Sequence, residues 1–440
     1  MKQSIHLFLL LLFSNGINAQ VSLPFQISIE KSSVEHLPAL QSYAWAKTGT
    51  KILLVGGRTD GLHKRQPFAS FNKKFNNTDL IVWDYHTNQI WTRSILDLPG
   101  SIVEQLQSSN MEFYQHENIL WLLGGYGFSV TKNNHITHPY VTGIRVEEMV
   151  TAIINKDSIQ PFIKQTYDAR LAVTGGRMHQ MNNKYYLVGG QRFDGRYNPH
   201  GPDHGPGFTQ EYSNEIRIFD LKWINHTIVL DNFRSVRDEN LLHRRDYNLL
   251  PQIDEKGNNM LTLYSGVFRY DKDLPYTSLV DIKNNKPVEL TGFSQKFAHY
   301  HTANLSLYSK KLKSQYSIFF GGMAQYYPSS NDSIVSDDNV PFVKTISVIK
   351  RNAKETIEIA LPIKMDNYFG AASEFIPVNE TLFSTFGILD IDKLDSGKKL
   401  AGVIIGGIFS NEPNVFWSNN DSNNGAAPYI WKIYISAKTK

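Results

Sequence analysis

The sequence predicts an all-β fold made of one repeated unit, and three observations carry that prediction. An apolar strand ending in a glycine pair recurs: Lys51–Gly57, Leu120–Gly125, Lys184–Gly190, Tyr316–Gly322 and Gly402–Gly407, with a weaker copy, Leu261–Gly266, in which Ser265 replaces a glycine. Internal repetition means that each unit is one supersecondary piece that buries its apolar face only against its neighbours. The spacing of the pairs averages about 70 residues, so six such units account for the chain after position 19 and leave no length for a second domain. Finally, 41% hydrophobic and 12% aromatic residues supply a large core and suit strands.

The first unit continues past its glycines with Asn77–Asp84, which ends in the pair Trp83-Asp84, then a turn at 85–89 and Ile90-Trp91. The third echoes it with Asn214–Asp220, ending in Phe219-Asp220, and a tryptophan at Trp223. This pattern resembles a kelch repeat, although units two, five and six lack the aromatic-Asp pair. The resemblance implies a six-bladed β-propeller of four-stranded antiparallel blades around a central channel.

Taken in order, the chain opens with one cation and a short apolar run, Met1–Phe13, followed by small and polar residues up to Ala19. It reads as a signal peptide over 1–19, too short to span a membrane, with a single propeller domain over 20–440. Export to the periplasm or the extracellular space is expected, without disulfides, because the chain has no cysteine. Residues Ile27–Lys31 alternate like a strand, while the last unit stops one strand short after Tyr429–Ile435. The N-terminal strand is therefore expected to complete the last blade and remove its free edge.

Alternating strand direction puts the loops after the glycine pairs on one face with the starts of the inner strands. Those loops are long in units one, three, five and six (58–76, 191–213, 323–341 and 408–428), and long loops on a rigid scaffold are where binding concentrates. The insert 377–399 lies on the opposite face, with no role assigned by the sequence. A net charge of +4 with no long basic run excludes the electrostatic footprint of a nucleic-acid binder.

On the elaborated face the sequence gathers Arg58, Tyr126, Arg177, His179, Arg192, Arg244, Arg245, Arg269, Gln325 and Tyr368 as candidate ligand contacts. Flat rings beside Arg, Asn and Asp side chains suit a sugar, and equally a protein partner. Several arginines at one mouth point to an acidic sugar, because a guanidinium fork matches a carboxylate. The structural alternative is that Asp246 and other carboxylates already neutralise them. Glu211, His243, Asp246 and His301 are the acid/base candidates. His299 and His301, two apart in an expected strand, and His200 and His204 in the loop 192–212 are weak metal-ligand candidates; hydrogen-bonded histidines are the expected reading, with no metal or cofactor.

Two functions remain open. One is an exported monomeric module that binds a glycan or a protein on its elaborated face. The other is a carbohydrate-active isomerase, mutarotase or lyase working in the channel. Similarity to the galactose-oxidase group stops at the repeat, since its thioether-linked copper site needs a cysteine; similarity to sialic-acid epimerases is one of fold only.

Overall fold

A computed structural model describes residues 22–438, apart from positions 200, 202, 206, 332 and 419–422. The expected leader over 1–19 and the candidate His200 lie outside the described residues.

The chain is all-β and built on antiparallel four-stranded sheets, an architecture compatible with a β-propeller. The first sheet holds Ala44–Thr48, Lys51–Val55, Asp79–Asp84 and Ile90–Ser94; the second Ser109–His116, Ile119–Ser129, Tyr140–Arg145 and Ile163–Tyr167. The third holds Arg177–Met181, Lys184–Val188, Glu215–Ile224 and Thr227–Arg237, and the fourth Asn248–Ile253, Asn259–Tyr264, Leu279–Lys283 and Lys286–Glu289. The fifth holds Asn304–Ser309, Ser314–Phe320, Thr345–Arg351 and Thr356–Lys364. In each of these the four strands named pair in chain order, each antiparallel to its neighbour. The sixth combines Glu374–Pro377, Lys399–Ile405 and Ile430–Ala437 with the N-terminal strand Phe25–Ser32. Phe25 pairs with Ala437 and Ser32 with Ile430, so the expectation that the N-terminus supplies the last sheet's missing strand is met.

Both faces of the second strands are covered. Ile52, Leu53, Leu54 and Val55 are all fully buried, which is why that strand reads as a continuous apolar run. Six apolar clusters join the sheets in pairs. They lie between the first and second, second and third, third and fourth, fourth and fifth, fifth and sixth, and sixth and first sheets.

A belt of hydrogen bonds also passes from sheet to sheet at or just ahead of the six first strands. Asn110 N–H donates to Ser42 O at 3.1 Å, Asp246 N–H to Gly175 O at 2.7 Å and His301 N–H to Asp246 O at 2.7 Å. Ala372 N–H donates to His301 O at 3.0 Å and Ser42 N–H to Ala372 O at 3.2 Å, while Thr174 Oγ1 reaches Asn110 O at 3.2 Å. Ser42, Asn110, Asp246 and Ala372 have left-handed φ values of 55°, 52°, 52° and 57°. Such conformations cost about 1–3 kcal/mol each away from glycine and persist only where surrounding contacts over-determine them, as the belt does.

Two expectations about the inner strands need correction. The sixth sheet's first strand starts at Glu374, whereas Tyr368–Ala371 pairs with Ile408–Ser410 in a separate three-stranded sheet. His299 and His301 precede the strand that starts at Asn304, so strand alternation does not bring their rings together.

The insert that follows Pro377 folds back over the inner strands. Leu389 and Asp390 pair in parallel with Leu307 and Tyr308. Phe386 packs edge-on against His179 at 5.1 Å, Phe383 packs near Phe375, and Glu380 bonds Lys47 Nζ at 2.7 Å. Leu382, Phe386, Ile388, Leu389 and Ile391 are buried there.

Candidate functional site

A cavity of about 720 Å³ opens at the belt, and all seven residues named in the belt line it. Its floor is made by side chains that follow the belt residues on the first strands. Glu112 stands two residues after Asn110, Arg177 two after Gly175 and Glu374 two after Ala372, so one strand position in three sheets delivers three charged groups to one place. Arg177 Nη1 lies 3.3 Å from Glu374 Oε1, and His301 Nε2 lies 3.2 Å from the same oxygen.

The two floor carboxyls differ in protonation. Burial would disfavour charge on Glu374, but His301 and Arg177 outweigh it and hold the carboxyl below its ordinary range. Burial, with the Arg177 charge beside it, lowers the pKa of His301, so near neutrality the ring is uncharged and its Nε2–H donates to the Glu374 carboxylate. Glu112 is only 1% exposed, and burial pushes its carboxyl up to about 8 despite the opposing Arg177 charge and a 2.7 Å bond from Gly176 N–H. Near pH 7 one carboxyl therefore carries a proton and the other does not, with the same arginine acting on both.

Further out, Arg245 pairs with Asp246, donates from Nε to Tyr212 Oη at 3.1 Å and lies over the Phe268 ring. His243 is sandwiched between Tyr212 and Tyr270, with ring centroids 3.8 and 3.7 Å away, and burial lowers its pKa to about 4. Arg269, Tyr126 and Arg58 also line the cavity. Arg58 makes a two-pronged contact with Asp60 at 2.8 and 2.7 Å and also donates to Asn76 Oδ1 and Asn72 O, so its donors hold the first loop.

The remaining sequence candidates do not line the cavity. Arg244 is buried, donating to Ser265 O and to Ser278 through its carbonyl and hydroxyl. Arg192 pairs with Asp194. Gln325 donates to Asp338, and Tyr368 lies under Lys344 Nζ. Glu211 and His204 are exposed, and His179 sits against the insert. Both ring nitrogens of His299 are taken, Nε2 by Gln295 O and Nδ1 by Gln325 N–H. Among the described residues no three His, Asp or Glu side chains gather as a metal ion would require, and no helix is long and apolar enough to cross a membrane.

Sequence reasoning missed Glu112 and Glu374. The signal was the strand position: each follows a left-handed residue by two, at the same place as Arg177, which was singled out. No protein-family model matches the chain, and comparison with curated proteins finds no match.

Proposed function

We propose that the protein is an exported six-bladed, kelch-like propeller that catalyses proton transfer on a small acidic sugar at the mouth of its central channel. The cyclic order of the six apolar clusters and the belt that returns from Ala372 to Ser42 support six blades. The single observation that carries the activity is the floor of the cavity, where protonated Glu112 and ionised Glu374 share Arg177. Two carboxyls whose surroundings drive their protonation apart mark an acid and a base.

The chemistry that fits is removal of the proton α to a sugar carboxylate. Arg177 neutralises the substrate carboxylate, and the Glu112 O–H donates to the oxygen on which enolate charge grows. Glu374 takes the proton, with His301 orienting it. An isomerase returns a proton to that carbon; a lyase instead expels the β-oxygen substituent. A pure recognition module would present a shallow aromatic surface, and the ionic floor beneath the cavity favours the enzyme.

The test is NMR of uronic acids incubated with the protein in D2O. Deuterium should enter at the carbon next to the carboxylate, and Glu374→Gln should abolish it with the fold intact. Absence of exchange in every acid of that panel would sink the reading.

A further inference from the structure

The cavity has a second chemical zone above its ionic floor, built by loops that rise from the mouth. The loop after the first glycine pair brings His63 and Phe71, and the hairpin Gln191–Gly195/Phe208–Tyr212 with its connecting loop brings Phe193, Tyr197 and Phe208. These rings form one connected wall. His63 lies 4.4 Å from Tyr197, Phe71 5.0 Å from Tyr126 and Phe193 4.7 Å from Phe208, centroid to centroid.

The wall is held rigid. Tyr126 Oη donates to Gly195 O at 2.7 Å and accepts from Tyr197 N–H at 3.2 Å. Phe71 has a left-handed φ of 49°, a strained state for a bulky residue that survives only where its surroundings enforce it. Arg58 lies over Phe71 with its charge already matched by Asp60. This zone is dominated by aromatic rings, whereas the floor is ionic.

A volume of about 720 Å³ is the size of sites that enclose drug-sized ligands, and a single sugar ring underfills it. Polar side chains also line the cavity alongside the rings, Gln191, Gln210 and Asn339 among them, which suits hydroxyls better than a purely apolar group. We propose that the cavity takes two sugar residues in line: an acidic one on the floor, and its neighbour with a CH face stacked on the wall near Tyr197 and Phe208. The ligand is then an acidic oligosaccharide end rather than a free monosaccharide. This assignment rests on the proton-transfer reading of the floor.

Calorimetric titration of glucuronate, galacturonate and mannuronate, each against its own homodimer, tests it alongside the deuterium exchange of each monomer. For at least one pair the homodimer should bind tenfold or more tightly, and Tyr197→Ala and Phe208→Ala should each bring the dimer-to-monomer affinity ratio near one. Monomers that bind and exchange deuterium, paired with homodimers that bind no tighter, overturn the second subsite and leave the floor's function standing. A ratio that persists in both folded variants overturns its location on this wall. Failure of every monomer and homodimer to bind removes both proposals.

Discussion

The inner strands finish differently at their two ends. At the belt end they carry Glu112, Arg177 and Glu374 into an open cavity, where charge is balanced by a few specific contacts. At the other end they meet the insert, which sets Phe386 on His179, strand-pairs Leu389 with Leu307 and buries Leu382, Ile388 and Ile391. The sheets themselves are alike at both ends. The unrepeated loops decide which end is left open and which is closed, because a repeat supplies walls and only local sequence supplies polarity.

That contrast yields four measurable expectations. The largest effect belongs to the open end: Glu374→Gln should lower kcat by about 10²–10⁴-fold, the usual worth of a positioned base, in a protein that still folds but melts lower because Arg177 loses its charged partner. A change in melting temperature with no change in turnover would move Glu374 to the structural side of the comparison.

At the closed end, Phe386→Ala should cost about 3 kcal/mol of stability in urea unfolding, the range for losing a buried phenylalanine. Sugar binding should persist in the surviving folded protein. Affinity lost in proportion to stability would mean that the two ends act as one unit.

Glu112 sharpens the comparison through pH. Its folded-state pKa, about 8, lies above the ordinary value of 4.5, so the fold favours the protonated form. The stability it contributes is complete below pH 4.5 and is lost as pH rises through about 8. Relative to Glu112→Gln, the unmodified protein should lose stability across that interval, and its turnover should fall above about pH 8 as the acid is lost. Parallel stability profiles for the two proteins would refute the buried-acid assignment.

The smallest effect is expected at the rim of the insert. Glu380 is mostly exposed, so Glu380→Ala should cost less than about 1 kcal/mol despite its 2.7 Å contact with Lys47. A larger loss in thermal unfolding would show that the insert is held by charge rather than by its apolar residues.

Much of the fold was legible because strand signals are local. Lys51–Val55 declares a buried strand by its unbroken apolar run, and each glycine pair marks its end with two left-handed residues, such as Gly56 at 68° and Gly57 at 82°. The N-terminal strand was legible from a deficit of one strand in the last unit. The site was read only in part. Arg177, Arg245, Asp246 and His301 reach the cavity, but Arg244, one residue away from Arg245, turns into the core between strands and bonds Ser278. Adjacent residues of a strand-like segment face opposite sides, so the order Arg-Arg does not say which one meets a ligand.

The sequence by itself determined the repeated strand and its glycine stop, the all-β class, the surplus strand at the N-terminus and the face on which the long loops gather. These depend on periodicity and turn chemistry within a few residues. Only the tertiary structure decided that Glu112, Arg177, His301 and Glu374, from four different sheets or their approaches, share one floor, and that Leu382 to Ile391 cover the opposite end. Both outcomes depend on how distant units pack side by side. The same packing buries Glu112 and pairs Glu374, and a carboxyl's protonation is set by burial and neighbouring charge, neither of which is a property of its place in the chain.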